Sequence, residues 1–391
     1  MTAQDQGPAR PAPSSPLAAH LAPLMRVPRW RSLGHCHVPA AFAAAAAEEA
    51  ALATGSAFAD GSWHRSYLVS GPSAFDVVDR LTTTRIEGLG IARSTRAVLC
   101  DDAGYLIDLC TIYRFDRDVF QIVSDAPLGY WLCEGAEGFD VGVEETSGGL
   151  ACIYLCGPRA PAILSRLGYA EAERLPLGAL DLFEDGQLSL HVCRRGPAGG
   201  EDGFELWFTA EAAGGVIRRL LALRETAALT PVGADALEGA RILAGMPRAF
   251  QDFHPAHLAA AGERLTGPRS VGLGALVDHE KGPFCGRAAL ERRARAPVPL
   301  GVRLFVEGDG LRPGAPLHHG LAQLGTLTSV HSSASHAGTL ALARLDGPLP
   351  GGAAPALEVR PAHGEARRVR WLGPMGDGLA GASAARGFGR G

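Results

Sequence analysis

The sequence predicts an α+β protein in three parts: two related α/β halves followed by a small C-terminal antiparallel β-barrel. Two observations carry that reading. First, YLVSGPSAFDVVDRL (67–81) is echoed by YLCGPRAPAILSRLG (154–168), each a strand, a Gly-Pro turn and an amphipathic helix. Second, the chain beyond Pro297 breaks into short strand-like runs separated by Gly and Pro turns. These are PLGVRLFVEG, GAPLHHG, AQLGTLTSVHSS, GTLALARL, PALEVRP and ARRVRWLG, at the regular spacing of a small barrel.

The elements follow in order. MTAQDQGPARPAPSSPLAAH has Pro and Ser where a secretory signal would have an apolar core, so residues 1–28 read as a disordered tail on a cytoplasmic protein. AAFAAAAAEEAALA (41–54) is interrupted by Glu48 and Glu49 and reads as a helix, not a membrane span. The first half (29–150) continues with SYLVSG (66–71) as a strand and SAFDVVDRL (73–81) as a helix. A hairpin turning at Asp101–Gly104 follows, then the strand VFQIVSDA (119–126) and a helix from about Pro127. The second half (151–295) repeats the scheme with LSLHVCRR, the turn GPAGGEDG, FELWFT and the helix AAGGVIRRLLAL. It ends in the loop and basic helix of EKGPFCGRAALERRAR (280–295). The barrel takes 296–380, and 381–391 reads as a disordered tail.

Composition narrows the function. With 37 basic and 41 acidic residues and a formal charge of −4, there is no basic stripe to neutralise phosphates, which argues against nucleic acid as a partner. Nothing points to a membrane. The eight cysteines lie mostly in apolar runs without a CxxC pair, the pattern of reduced, packed thiols. His318, His319, His331 and His336 cluster in sequence but read as exposed histidines on barrel turns without an acidic companion, so no metal site is expected. No GxxxxGK[ST] or strand–GxGxxG–helix pattern is present, which removes a nucleotide-phosphate enzyme.

One residue is out of place. In DDAGYLIDLCTIYRF (101–115) Asp108 interrupts an apolar strand, and a buried, unpartnered carboxylate is costly. Glu205 sits comparably beside a turn in the second half, and two halves facing each other would bring these strands around a shared pocket.

Several stretches in order resemble the glycine-cleavage T-protein family of folate-dependent one-carbon transferases, which includes folate-linked demethylases. They are EEAALATGSAFADGS (48–62), AGYLIDL, GEDGFE (200–205), ARILAGMP (240–247), KGPFCGRAAL (281–290) and GTLTSVHSSASHAGTLALARL (325–345). The resemblance implies a three-part cloverleaf around a central hole that holds tetrahydrofolate. It implies that Asp108 is the catalytic acid, stabilising cationic iminium-like species, and that Glu205 accepts the paired donors of the pterin. Arg241 matches a pocket arginine that would meet a carboxylate. Thr95 and Ser124 occupy cofactor-binding positions where the family has Tyr and Asn. Asp60 and Ser62 match a family turn, and an Asx turn explains them equally well. The implied partners are a small-molecule one-carbon donor and a lipoyl carrier protein.

Departures accompany the match. The family's Gly-Tyr-Thr-Gly-Glu turn is GPAGGE here, the acid pair is reduced to Ile107-Asp108, and the Glu two residues after Arg241 is Leu243. A non-catalytic folate-binding accessory protein, or pseudoenzyme, is the alternative. The branch that assists iron–sulfur assembly is disfavoured, because its Lys-Gly-Cys-Tyr motif is Lys281-Gly282-Pro283-Phe284 here and Cys285 reads as a packed residue.

Overall fold

The computed structural model describes residues 13–197, 203–295, 298, 300–347, 357–361 and 365–376. The strands form two open sheets, a closed barrel and a short separate hairpin (Trp30–Leu33 with Cys36–Pro39). The first sheet runs Arg93–Cys100, Leu106–Asp116, Val119–Ser124, Arg65–Ser70, Gly142–Glu145, antiparallel throughout. The second runs Leu180–Glu184, Ser189–Cys193, Gly203–Thr209, Leu150–Cys156, Ser56–Asp60, Leu229–Pro231, with only the last pair parallel. The first four strands of each sheet therefore recur in the same antiparallel order. In both copies a helix follows the Gly-Pro turn, Ala74–Leu81 in one and Ala160–Arg166 in the other. The duplication is deeper than its sequence trace.

Each sheet buries one face under its own helices. Val69, Ile112, Phe120 and Ile122 pack on Val77, Val78, Leu81 and Leu132 in the first half. Ile153, Leu155, Leu206 and Phe208 pack on Ile163, Leu164, Val216 and Leu220 in the second. The opposite faces look toward each other, and Tyr113 and Val123 meet Leu180 and Cys193 between the halves. The barrel, in order Gly301–Glu307, Gly338–Leu345, Ala322–Ser333, Pro316–His319, Leu357–Val359, Arg367–Pro374, closes on Val302, Leu304, Ala341, Leu345 and Val359. All the strand-like runs expected of the third part contribute to it. A further cluster of Val98, Leu106, Ile242, Phe253 and Leu342 ties the first sheet, the helix Ala234–Leu243 and the barrel together.

The two repeat turns show why glycine is there. Gly71 and Gly157 have φ of +133° and +90°. A Cβ on Gly157 would lie 2.6 Å from the Gly55 carbonyl oxygen and 2.9 Å from that of Ala51. Both obstacles are backbone, so Gly157→Ala is expected to cost about 2–4 kcal/mol in urea unfolding. A loss below about 0.5 kcal/mol would contradict this geometry.

Three expectations need correction. Residues 13–28 are not a disordered tail: Leu17, Leu21 and Met25 are buried in the second half's core, anchored by the helix Ala18–Leu21. Residues 1–12 and the tail 381–391 lie outside the described residues. The position at 150 does not separate the sheets, because Ser56–Asp60 is buried along its length and takes partners on both edges from the second sheet. Finally, His318, His319 and His331 lie in barrel strands, and His331 does have an acidic companion, with Nε2 3.2 Å from Glu49 Oε1. Among the described residues no group of His, Cys, Asp or Glu could hold a metal ion, and no helix is long and apolar enough to cross a membrane.

Candidate active site

Asp108 lies in the strand Leu106–Asp116 and is 1 % exposed. Its Oδ2 accepts from Ser124 Oγ and from the backbone N–H groups of Asp125 (2.9 Å) and Ala126 (3.0 Å), and its Oδ1 from Leu109 N–H (2.8 Å). Burial, and then the neighbouring Asp125 charge, push its carboxyl up to about 6 against those donors. Asp108 lines neither of the cavities between the halves. It holds the Ser124–Ala126 turn, and that turn carries Asp125 to the inner cavity. The expectation that Asp108 itself faces the cavity is therefore corrected.

The inner cavity has a free volume of about 30 Å³ and is bordered by Trp63, His64, Arg96, Leu109, Asp125 and Arg248, among others. His64 Nδ1 lies 2.7 Å from Asp125 Oδ1, and His64 Nε2 lies 2.7 Å from Tyr154 Oη. An ionised carboxylate only accepts, so Nδ1 carries a proton and donates it to Asp125. Burial alone would raise the Asp125 carboxyl, but His64, Arg248 and Arg96 hold it well below the usual carboxylate range. Tyr154 remains a donor, since burial and Glu205 push its phenol up.

Glu205 lies in Gly203–Thr209, 2 % exposed, and its Oε2 accepts from Tyr113 Oη across the gap between the halves. The Asp108 strand and the Glu205 strand do meet there. They are not repeat equivalents, however. Glu205 pairs with Tyr154, three residues before Gly157, and the residue pairing with Leu68, three before Gly71, is Gln121. Beyond Tyr113 the gap opens into a cavity of about 530 Å³ walled by Tyr113, Phe115, Val123, His191, Trp207 and Phe208.

Arg241 borders the inner cavity with its donors already committed. It meets Glu238 (2.7 Å), Asp252 (2.7 Å), Gln251 (3.0 Å), Ser329 Oγ (2.7 Å) and the Met246 carbonyl (2.5 Å). It clamps its helix to the 246–252 segment and the barrel strand Ala322–Ser333, and the expected carboxylate-binding role is corrected to a structural one. Thr95 is 5 % exposed, bonds the Arg96 carbonyl at 3.3 Å and borders neither cavity. Ser124 is spent on Asp108. Asp60 and Ser62 form the Asx turn, Ser62 N–H donating to Asp60 Oδ1 at 2.9 Å. Asp60 also accepts from Ser15 Oγ, which fastens the leading segment. Lys281 is buried on Asp79, Thr82 and Thr84, and Cys285 is pushed up to about 12 by burial and Asp102, an inert thiol.

His64, Asp125, Arg96, Trp63, Tyr113 and Tyr154 carry no signal that marks them in the sequence. Three of them directly follow candidate residues (Arg96 after Thr95, Asp125 after Ser124, Trp63 after Ser62), and His64 comes one later. Arg96 lies in the strand Arg93–Cys100, where side chains alternate and the position next to Thr95 is the one that reaches the cavity, whereas Trp63, His64 and Asp125 sit in turns beside strand ends.

The family model for the GCVT N-terminal domain matches residues 19–270. An aminomethyltransferase of Streptomyces coelicolor is 30 % identical over 321 residues, covering 80 % of this chain and 83 % of that protein. One from Moorella thermoacetica is 31 % identical, covering 67 % and 70 %. A trimethylamine-oxide aldolase of Ruegeria pomeroyi is 26 % identical over 72 % of this chain and 36 % of its own length. In fold, the glycine cleavage system aminomethyltransferase T of Bartonella henselae superposes with a TM-score of 0.79 at 20 % identity, covering 93 % and 98 %. The chain belongs to the glycine-cleavage T-protein family, a family of transferase-type enzymes.

Proposed function

We propose that this protein transfers a one-carbon unit from an amine-type donor to tetrahydrofolate, acting in the cytoplasm. The observation that carries the reading is Glu205: a nearly buried acid at the meeting of the two halves, with only one oxygen engaged among the described residues, by the Tyr113 hydroxyl. A carboxylate has about four acceptor positions, so Glu205 has capacity for the paired donors of a pterin. Tyr113, whose hydroxyl Glu205 holds, walls a ring-sized space together with Phe115, Val123 and Trp207, which fits the aromatic parts of that cofactor. Tetrahydrofolate, when bound, supplies the nitrogens that accept the carbon.

The protein's own groups do the rest. Asp125 places a fixed negative charge at the inner cavity, where it would stabilise a cationic carbon-donor species. Asp108 holds that carboxylate in place through the turn. His64 and Tyr154 form a hydrogen-bonded line from Asp125, positioned to hold or pass a proton. Relatives named aminomethyltransferase and trimethylamine-oxide aldolase are compatible with either a carrier-held or a free donor.

Calorimetric titration with tetrahydrofolate tests the reading. The wild type is expected to bind saturably in the micromolar range, and Glu205→Gln to weaken binding by about tenfold or more, because one acceptor becomes a donor. Absence of wild-type binding would overturn it. A second reading, a folate binder without turnover, is favoured by Asp108 lining neither of these cavities. It predicts the same binding and no consumption of any donor.

A further inference from the structure

The inner cavity is rich in donors and poor in acceptors. Trp63 is 3 % exposed and its Nε1–H has no partner among the described residues, and neither does the buried Nε of Arg96. Both residues border the same space. Two unpartnered donors on residues that border one cavity leave a deficit that an acceptor ligand fills.

Charge points the same way. Of the cations around the cavity, Arg241 is neutralised by Glu238 and Asp252, and Arg248 pairs with Glu238 at 2.6 Å. Asp125 gives one oxygen to His64 at 2.7 Å and has the other 3.7 Å from Arg248. Asp125 is the one acid among the cavity's described residues, and it leaves Arg96 without a carboxylate of its own within ion-pair distance. A free volume of about 30 Å³ admits a small planar group rather than a ring or a phosphate. A guanidinium edge with an adjacent indole N–H suits a carboxylate.

We propose that Arg96 and Trp63 form a subsite that binds the carboxylate of a small amino acid. The subsite does not rest on the one-carbon reading. The sequence gives no hint of it, since Arg96 and Trp63 adjoin matched positions but are not among them.

N-methylglycine is the probe, with N-methylethanolamine, which carries a hydroxyl in place of the carboxylate, as its control. Each is titrated into full-length wild type, Arg96→Gln, Arg96→Lys and Trp63→Phe, with and without saturating tetrahydrofolate. Affinity is read by calorimetry. The indole N–H signals of the five tryptophans are read by ¹H–¹⁵N correlation. N-methylglycine is expected to bind wild type saturably and to shift one indole signal, the one absent from Trp63→Phe. Arg96→Gln should weaken it about tenfold or more, with Arg96→Lys between, and N-methylethanolamine should not bind. No binding of N-methylglycine, binding indifferent to Arg96→Gln, or equal binding of the control would overturn the proposal. So would an Arg96→Gln effect confined to tetrahydrofolate, which would assign the arginine to the cofactor's own carboxylates. Tetrahydrofolate binding without N-methylglycine binding removes the subsite and spares the one-carbon reading. The reverse removes that reading and leaves the subsite standing.

Discussion

Arg241→Ala is expected to cost about 3–5 kcal/mol of stability, more than the glycine substitution at the second repeat turn. The side chain is 4 % exposed and bridges Glu238, Asp252 and Ser329, which belong to three separate stretches of chain. Removing it leaves Asp252, whose side chain is fully buried, without a cation. Hydroxyls of Thr328 and Ser329 and the Arg248 amide still reach that carboxylate, but they cannot neutralise it. Arg241→Lys keeps the charge and loses the planar fork, so it should fall between wild type and alanine. Urea unfolding at neutral pH measures this, and a loss below about 1 kcal/mol would show that the clamp is dispensable. The same network has an acid signature. Despite burial, Arg241 and Arg248 hold the Glu238 carboxyl down to about 2 from 4.5. A depressed folded-state pKa contributes stability above the unfolded value that is lost as pH falls toward 2. Arg241→Ala should therefore shrink the stability lost across that window.

Asp108→Asn is expected to lower tetrahydrofolate-dependent turnover by about a hundredfold while changing tetrahydrofolate affinity less than about threefold. The carboxylate accepts from four donors, and an amide must turn its NH₂ toward at least one of them. The Ser124–Ala126 turn then loosens, and Asp125 and His64 move with it. A stability loss of about 1–3 kcal/mol should accompany this. Its pH dependence has a definite sign. Because the folded-state carboxyl is raised from 3.8 to about 6, by burial and then by Asp125, its contribution is complete below 3.8 and lost as pH rises through about 6. The gap between wild type and Asp108→Asn should narrow over that interval. A gap that widens, or a variant with normal turnover, would overturn the positioning role.

These two residues also show how far the sequence can be read. The repeat, its glycine turns and the barrel strands are legible because they depend on local periodicity and turn chemistry. Asp108 stands out because an acid in an apolar strand demands a partner, and the partners exist. They lie sixteen to eighteen residues away, at the end of the next strand and in the turn after it, where no local pattern announces them. Arg241 reads as a ligand-binding residue because its counter-ions are invisible along the chain: Asp252 follows an irregular loop, and Ser329 comes from the barrel. Thr95 and Ser124 are the expected positions, whereas Arg96 and Asp125 face the space. For Arg96 a one-residue step along its strand changes the face, and Asp125 lies just past its strand, in a turn whose course depends on Asp108; neither is visible without the pairing register.

The strand Ser56–Asp60 has a consequence for how the protein is made. It leaves the ribosome early, yet its two edges are paired only by Leu150–Cys156 and Leu229–Pro231. The first sheet, built entirely from 65–145, can close during synthesis while this strand still waits for its second partner at Leu229–Pro231. Until residue 231 emerges, an apolar strand with open hydrogen-bonding edges must stay out of trouble. Vectorial synthesis therefore makes the second half, not the first, the slow and aggregation-exposed stage of folding. Separating the halves at residue 150 would leave 151–295 without its inner strand and without Leu17 and Leu21 in its core.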